Sequence, residues 1–275
     1  IDVNNDNVGD VELIVNGKLD ILGSPCNLVE FIPFNIASSN SHWAGISFNS
    51  NQINNNLNYF SIKNAHNGIT ATSPIEVNWV DIYNCYESGI TIDNCNNSII
   101  NNVLIKNTTD YGIYINGSAN TTYNNIKIDS SGHHGVLVNN SEVNLTHAIV
   151  SNSISSGIYN SNSDINYNDG ILSNNGMFGL INNKGDIFLN KIDINNNTMG
   201  GVYLGGTSSS EITYCSFELN QGASVEVSEW VISGDINALN FSNDGSPTNI
   251  LINACNLLDT LEYNTGLVVE NVVFN

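Results

Sequence analysis

The fold is decided by a short pattern that recurs through most of the chain, as in Gly89-Ile90-Thr91-Ile92 and Gly112-Ile113-Tyr114-Ile115. The glycines that open these units lie at positions 45, 68, 89, 112, 135, 157, 179, 201 and 222. The successive differences are 23, 21, 23, 23, 22, 22, 22 and 21 residues. A fixed period of this size indicates stacked supersecondary units, because none of them buries its apolar face alone.

Apolar residues recur in three short groups within each unit. The residues one and three positions after the glycine, such as Ile113 and Ile115, are expected to face inward on a pleated strand. Two more pairs recur later in the unit, for example Val143 with Leu145 and Ala148 with Val150. Three short strands per unit predict a triangular solenoid in which like residues stack from coil to coil.

The segment that leads into the repeats adds a more specific pattern. It carries the turns Asn16-Gly17-Lys18-Leu19 and Gly23-Ser24-Pro25, followed by Trp43-Ala44-Gly45-Ile46-Ser47-Phe48. This order resembles the opening module of right-handed parallel β-helix proteins, and the repeats resemble those of the pectate-lyase-like superfamily. The resemblance covers about residues 11–225. It implies an all-β, right-handed, single-stranded parallel β-helix with about 22 residues per coil and three parallel sheets.

We predict one domain with three parts: N-terminal opening strands over 1–44, regular coils over 45–225, and irregular C-terminal coils over 226–275. The final strand candidate is apolar and carries no capping signal, which predicts contact between the ends of two molecules. The residues expected to make this end-to-end contact are Leu267, Val268, Val269, Val272, Val273 and Phe274.

The charge composition limits the partners. The net charge is −20, from 26 carboxylates against six lysines and no arginine. Nucleic-acid binding is excluded for want of a basic patch, and no apolar segment is long enough to predict membrane insertion. Asp2, Asp6 and Asp10 could bind calcium, but no calcium-loop motif supports this, and no cofactor is predicted.

Asparagine makes up about a fifth of the chain and recurs after the third strand of most units. Stacked amides can hydrogen-bond between coils, so these positions predict a structural ladder, with Ser130 as a replacement in one unit. The predicted ladder consists of Asn64, Asn84, Asn107, Asn152, Asn174 and Asn196. Asn160 and Asn182 fall at inward positions, where either a short internal ladder forms or the repeat shifts its phase.

The five cysteines show no zinc-site spacing. Buried free thiols are the favoured interpretation, and a Cys85–Cys95 disulfide is the alternative.

The residue two positions after each glycine is expected to face outward, and this row, counted from Ser47 to Ser224, contains no carboxylate. A contiguous apolar stripe on a surface usually marks an interface, and aromatic platforms also suit sugar rings. Stabilisation of the sheet by cross-strand stacking is the alternative. The predicted interaction stripe consists of Tyr114, Leu137, Tyr159, Ile181 and Tyr203.

No catalytic residues are identified from the sequence. Gly132-His133-His134-Gly135 resembles the Gly-His-Gly element of polygalacturonases, but that family's Asn-Thr-Asp, Asp-Asp and Arg-x-Lys elements are absent. We therefore interpret His133 and His134 as turn residues. The arginine or lysine base of pectate lyases, set among calcium-binding aspartates, also has no counterpart in the sequence.

Our leading hypothesis from the sequence is a non-catalytic, extracellular, cell-surface protein, either adhesin-like or a filament or sheath subunit. It would self-associate laterally through the stripe and end to end through the terminal strands. The alternative is a carbohydrate-active enzyme, a lyase or hydrolase, or a carbohydrate-binding module for an envelope polysaccharide. A third alternative is a segment of a viral fibre.

Overall fold

The structure is a computed structural model of the chain. It describes residues 11–33, 42–49, 55–205 and 209–228, and the backbone of five later strands. Every helix or strand among these residues is a β-strand. In chain order the strands are β1 Glu12–Val15, β2 Asp20–Leu22, β3 Val29–Phe31, β4 Gly45–Phe48, β5 Asn56–Lys63, β6 Ile69–Ala71, β7 Glu76–Tyr83, β8 Ile90–Asp93, β9 Ile99–Thr108, β10 Ile113–Asn116, β11 Thr121–Ser131, β12 Val136–Asn139, β13 Glu142–Thr146, β14 Ile149–Ser151, β15 Ile158–Ser161, β16 Asp164–Ser173, β17 Phe178–Asn183, β18 Ile187–Asn195, β19 Gly200–Gly205, β20 Ser209–Thr213, β21 Ser216–Glu218, β22 Val225–Ser228, β23 Ser233–Asn237, β24 Asn240–Phe241, β25 Ile250–Asn253, β26 Gly266–Glu270 and β27 Val273–Phe274.

Each strand pairs in parallel with the equivalent strands of the coils before and after it, which builds two long sheets. One sheet has 11 strands in the order β1-β4-β6-β8-β10-β12-β15-β17-β19-β22-β25. The other has 16 strands and follows the path β2-β5-β7-β9-β11-β13-β16-β18-β20-β23-β26, with β3, β14, β21, β24 and β27 paired beside it. The chain is therefore an all-β parallel solenoid, as the repeat predicts.

Two of the three predicted faces share the 16-stranded sheet, because its strands continue around a corner of the coil. In β11 the corner residue is Asn125, with a φ of 55°. In the next coil β13 ends and β14 begins on either side of His147, which has a φ of 52°. The left-handed backbone bends the chain there, while both flanking segments stay paired with the neighbouring coils.

The predicted inward residues form stacks through the interior. Ile113 pairs with Ile90 on one side and with Val136 on the other, and all three are at most 1% exposed. The later pair Val143 and Leu145 is buried in the same way. Each coil thus adds its aliphatic side chains to one continuous core, and burial of this apolar surface is the main stabilising contribution.

The repeated glycines are required by close approach between coils. A Cβ atom added at Gly135 would lie 2.7 Å from the carbonyl oxygen of Gly157 and 2.1 Å from Val150. At Gly112 the same atom would lie 2.6 Å from the carbonyl oxygen of Gly135. Within the described repeats, Gly45 alone among the unit-opening glycines has a positive φ, of 115°. Space rather than backbone conformation therefore selects glycine at this position.

The predicted start of the last repeat unit is wrong by two residues. Val202 pairs with Val225, so this coil opens on Ser224 and not on Gly222. Gly222 lies in the preceding turn, where an added Cβ would meet the carbonyl oxygen of Met199. Ser224 is consequently buried, and the outward partner of Tyr203 is Glu226. The outward row therefore does contain a carboxylate, contrary to the expectation from the sequence.

The predicted asparagine ladder is a stack of left-handed turn residues. Its six asparagines, with Ser130, have φ values between 53° and 66°, a conformation that asparagine tolerates well. Asn84 Nδ2 donates to Asn64 Oδ1 at 3.2 Å, and Asn107 Nδ2 donates to Asn84 Oδ1 at 3.1 Å. After Ser130 the amides bond to other residues, as Asn152 does to Asp129 at 2.7 Å.

Asn160 and Asn182 form an internal ladder, and the phase of the repeat does not shift there. The two residues pair in register, both are fully buried, and Asn160 Nδ2 donates to Asn182 Oδ1 at 2.6 Å. A second internal ladder, which the sequence did not predict, links Asn175, Asn197 and Asn220 at 2.9 and 3.0 Å. Both ladders join buried side-chain amides from coil to coil.

The thiols of Cys85 and Cys95 are buried and free, so the alternative of a disulfide between them is wrong. Burial raises the pKa of Cys85 to about 12, which makes its thiol unreactive at neutral pH. No helix in the described ranges is long and apolar enough to cross a membrane.

The residues predicted for end-to-end contact lie in or beside the last strands. β26 pairs with β23, and β27 pairs with β24, so both strands continue the solenoid. Val272 lies outside the described residues. Contact between molecules at this end stays an untested prediction.

Candidate functional site

The predicted stripe is a continuous row on the outer face of the 11-stranded sheet. Tyr114 pairs with Leu137, Leu137 with Tyr159, Tyr159 with Ile181, and Ile181 with Tyr203. Four of the five side chains are half-buried, and Ile181 is only 9% exposed. The structure thus places these five residues in one row, while the role of the row in binding stays a prediction.

Rings that lie beside this row widen it. The ring centroids of Tyr111 and Tyr114 lie 5.7 Å apart, those of His134 and Tyr159 lie 4.9 Å apart, and those of Phe178 and Tyr203 lie 5.6 Å apart. These are ordinary contact distances for aromatic pairs. We call the six residues Tyr111, Tyr114, His134, Tyr159, Phe178 and Tyr203 the aromatic band.

A column of four titratable residues runs beside one end of the band. His66, Glu87, Asp110 and His133 each stand two residues before a repeat glycine, at 68, 89, 112 and 135. Backbone hydrogen bonds stack them in consecutive coils: Glu87 donates to the His66 carbonyl at 2.8 Å, Asp110 to Glu87 at 3.1 Å, and His133 to Asp110 at 3.0 Å. We call these four residues the acid–base column.

Each carboxylate of the column has a histidine beside it. His66 Nδ1 lies 3.5 Å from Glu87 Oε2, and His133 Nδ1 lies 3.8 Å from Asp110 Oδ1. Asn67 Nδ2 also donates to Glu87 at 2.8 Å. The side chains of Glu87 and Asp110 are 50% and 43% exposed, so a ligand can reach both of them.

The two carboxylates differ in electrostatic environment. Partial burial raises the pKa of Asp110 above its ordinary value, the charge of Glu87 raises it further, and His133 opposes the rise. Partial burial therefore favours the protonated form of Asp110. A carboxyl group with a raised pKa beside a second carboxylate is an arrangement that acid–base catalysis can use.

Tyr111, His133 and His134 join the column to the band. The Tyr111 ring centroid lies 5.3 Å from that of His133, and the two histidine rings lie 4.2 Å apart. Burial, with a smaller contribution from His133, lowers the pKa of His134 to about 4. His134 is therefore neutral at physiological pH, and its Nδ1 accepts a hydrogen bond from the Ser156 N–H at 3.2 Å.

A second set of carboxylates lies on a different corner of the coil. Glu142 and Asp164 pair in register, and the Asp186 N–H donates to Asp164 Oδ1 at 2.8 Å. A shallow groove of about 330 Å³ lies beside them. Among the residues that the structure describes, no group of three or more His, Cys, Asp or Glu side chains could hold a metal ion. Asp2, Asp6 and Asp10, the calcium candidates from the sequence, lie outside that part of the chain.

The sequence interpretation did not identify either set of carboxylates, although both sets are regularly spaced in the sequence. The acid–base column keeps a constant offset from the repeat glycine, and Glu142, Asp164 and Asp186 follow one another at 22-residue intervals. The outward strand positions do not include the column, because the column lies in a turn. His133 was assigned to that turn correctly, but its neighbour Asp110 is 23 residues earlier in the sequence.

A family model described as "Right handed beta helix region" matches residues 111–272, which is more than half of the chain. The chain belongs to this right-handed β-helix family. No curated protein matches the β-helix chain significantly in sequence.

Two solved structures share the fold over nearly the whole β-helix chain. A variant of the periplasmic alginate epimerase AlgG is 14% identical, with a TM-score of 0.57, and the match covers 97% of this chain and 61% of that one. The A-module of the Azotobacter vinelandii mannuronan C-5 epimerase AlgE6 is 10% identical, with a TM-score of 0.56, and the match covers 96% and 91%. At such identities the likeness shows the fold alone.

The leading hypothesis of a non-catalytic, cell-surface structural or adhesin-like protein is wrong. The solved β-helices similar to this chain are carbohydrate-active enzymes, which favours the alternative. Apolar terminal strands and an outer stripe follow from repetitive packing, so they do not distinguish a structural β-helix from an enzyme. The candidate acid–base groups lie in the turns, outside the outward strand positions.

Proposed function

We propose that this β-helix is a carbohydrate-active enzyme that hydrolyses glycosidic bonds in a polysaccharide bound along the aromatic band. The observation that carries the proposal is the acid–base column, whose His133 is in ring contact with Tyr111 of the band. A sugar ring stacked on Tyr111 or Tyr114 lies beside Asp110 and Glu87. Binding groups and proton-transfer groups are thereby combined on one surface.

Asp110 is the general acid in this proposal, because its raised pKa keeps a proton available. It gives that proton to the oxygen of the glycosidic bond as the bond breaks. Glu87 attacks the anomeric carbon, and water then hydrolyses the glycosyl ester, with Asp110 taking a proton from the water. Strands in adjacent coils lie ~4.8 Å apart, close to the separation of about 5 Å between the two carboxyl groups of retaining glycosidases.

The histidines of the column lie beside these carboxylates. His66 Nδ1 lies 3.5 Å from Glu87 Oε2 and helps to hold that side chain in place. The charge of His133 opposes the rise in the pKa of Asp110. Both are positioning residues in this proposal, because neither has to touch the substrate.

The charge of the chain supports a neutral substrate. With 26 carboxylates, six lysines and no arginine, it lacks the usual clamp for uronate groups. We place the activity outside the cytoplasm, where envelope polysaccharides occur, which agrees with the periplasmic origin stated for the similar AlgG.

The test is a panel of neutral polysaccharides, with alginate and pectate as the uronate arm. We expect reducing ends from a neutral polysaccharide without unsaturated products, and loss of this turnover in Glu87→Gln. Glu76→Gln is the matched control, since Glu76 is an exposed carboxylate on the 16-stranded sheet. Absence of any product, formation of unsaturated or epimerised uronates, or full activity in Glu87→Gln would overturn the proposal.

A further inference from the structure

We infer that the aromatic band binds an extended polysaccharide of two-fold symmetry, in which every second sugar ring presents the same face to the protein. This inference rests on the proposed function and deepens it by naming the class of linkage. Cellulose, xylan and mannan have this form, because their backbone linkages are equatorial at both ends. Amylose, whose linkages make the chain coil, does not.

The tyrosines of the outward row are regularly spaced. Tyr114, Tyr159 and Tyr203 occupy alternate positions of the outward row, with Leu137 and Ile181 between them. Adjacent strands lie ~4.8 Å apart, so equivalent tyrosine positions recur every ~9.6 Å along the solenoid axis. That repeat is close to the length of two sugars in an extended equatorial polymer.

The intervening positions do not offer equivalent platforms. Ile181 is only 9% exposed, whereas Tyr159 and Tyr203 on either side of it are partly exposed. The rings of His134 and Phe178 belong to the intervening coils, but they are only 8% and 7% exposed. They pack against Tyr159 and Tyr203 at 4.9 and 5.6 Å between ring centroids. Exposed tyrosine surface is therefore presented at every second coil, which matches a polymer that presents the same sugar face at every second ring.

The position of the acid–base column makes the site asymmetric. The column adjoins Tyr111 and Tyr114, at the N-terminal end of the band, and Tyr203 lies four coils further along. On the other side of Tyr114 the outward row continues with the hydroxyl side chains Thr91 and Thr70. The sugars on one side of the cleaved bond thus meet aromatic rings, and those on the other side meet threonine hydroxyls.

Binding is measured by calorimetry in the Glu87→Gln background, which prevents turnover under the proposed function. The probes are cellohexaose, xylohexaose and mannohexaose, with maltohexaose as the coiled probe of equal length. We expect at least one of the first three to bind and maltohexaose to bind at least about tenfold more weakly. Tyr159→Ala and Tyr203→Ala should each weaken binding by about threefold to tenfold, the usual contribution of one aromatic contact.

Two controls separate loss of the ring from loss of the fold. Tyr159→Phe keeps the ring and should retain affinity. Tyr214→Ala removes an aromatic residue that is 66% exposed and lies away from the band, beside β20, and it should leave binding unchanged. Thermal unfolding of each variant shows whether the solenoid is intact.

The outcomes distinguish this inference from the proposed function. Equal or tighter binding of maltohexaose, with turnover of a coiled polymer by the wild type, would overturn the inference and leave the enzyme proposal standing. Unchanged affinity for the extended probes in folded Tyr159→Ala and Tyr203→Ala would also overturn it. Turnover of an extended polymer without any dependence on these tyrosines would show that the band is not its binding site.

Discussion

Two histidine–aspartate pairs occupy opposite faces of this solenoid and have very different surroundings. His133 and Asp110 lie 3.8 Å apart beside the 11-stranded sheet, and His147 and Asp169 lie 3.4 Å apart at a corner of the 16-stranded sheet. Each pair joins two adjacent coils. By distance alone the second pair would be the stronger candidate for chemistry.

The difference lies in the neighbours. Tyr111 and His134 surround the first pair, and burial raises the pKa of Asp110. The second pair is more exposed, at 59% and 64%, and His147 Nδ1 lies 3.4 Å from Asn124 Oδ1. An ion pair as exposed as this contributes little to stability and has no ring beside it to hold a sugar. Partial burial beside aromatic rings, rather than the pair itself, marks the functional face.

The outer face of the 16-stranded sheet carries polar side chains that hydrogen-bond to one another. Its outward row is largely asparagine, and the side chains bond to one another from coil to coil. Asn190 Nδ2 donates to Asn168 Oδ1 at 3.2 Å, and Thr213 Oγ1 donates to Asn190 Oδ1 at 3.3 Å. Amides satisfied within the row stabilise the stack and leave fewer groups to recognise a ligand.

Removal of the Asp110 carboxylate should reduce turnover more than any other change considered for the two pairs. Asp110→Asn removes the proposed general acid, so turnover of the neutral polysaccharide should fall by about a hundredfold or more. Asp169→Asn removes the carboxylate of the second pair, at a corner of the 16-stranded sheet. It should change turnover by less than about twofold. Steady-state rates of reducing-end release measure both. If both variants remain folded and lose turnover equally, Asp110 is not a catalytic acid.

The fold could be predicted from the sequence because the core is repetitive. Ile90, Ile113 and Val136 occupy the same inward position in successive coils, and parallel stacking then follows from burial. The prediction failed at Gly222, where another glycine in the turn imitated the repeat. Only the pairing of Val202 with Val225 shows the correct register. Glycine is required where there is no space for a Cβ atom. Such close approach occurs in turns as well as at the starts of strands.

The site was harder to predict because its residue types change from coil to coil. Outward tyrosines at Tyr114, Tyr159 and Tyr203 share a strand position and could be found by counting. His66, Glu87, Asp110 and His133 also share a position, but a periodic search for similar residues does not connect a histidine with a carboxylate. The raised pKa of Asp110 depends on burial by neighbouring coils, which the sequence does not display.

The pH dependence of activity should also distinguish the two histidines, His133 and His147. If Asp110 acts in its protonated form, activity falls as the pH rises through its pKa. His133 lowers that pKa, so His133→Asn should move this alkaline limb to higher pH, by up to about one unit. His147→Asn on the other face should leave the limb where it is. The pH profile of kcat/KM measures the shift, and a limb that stays fixed or moves to lower pH in His133→Asn would contradict the electrostatic role given to this residue.

Protonation of His134 should have a small effect on the thermal stability of the chain. His134 has its pKa lowered from 6.5 to about 4, so the folded chain keeps it neutral while the unfolded chain binds a proton below pH 6.5. Its contribution to stability is therefore present above pH 6.5 and is lost as the pH falls towards 4. His134→Asn can still accept from the Ser156 N–H and should remove about 4 °C of the fall in Tm over this range. The exposed His147→Asn should leave that fall unchanged, and an identical fall in the His134 variant would show that carboxylate protonation alone accounts for the acid sensitivity.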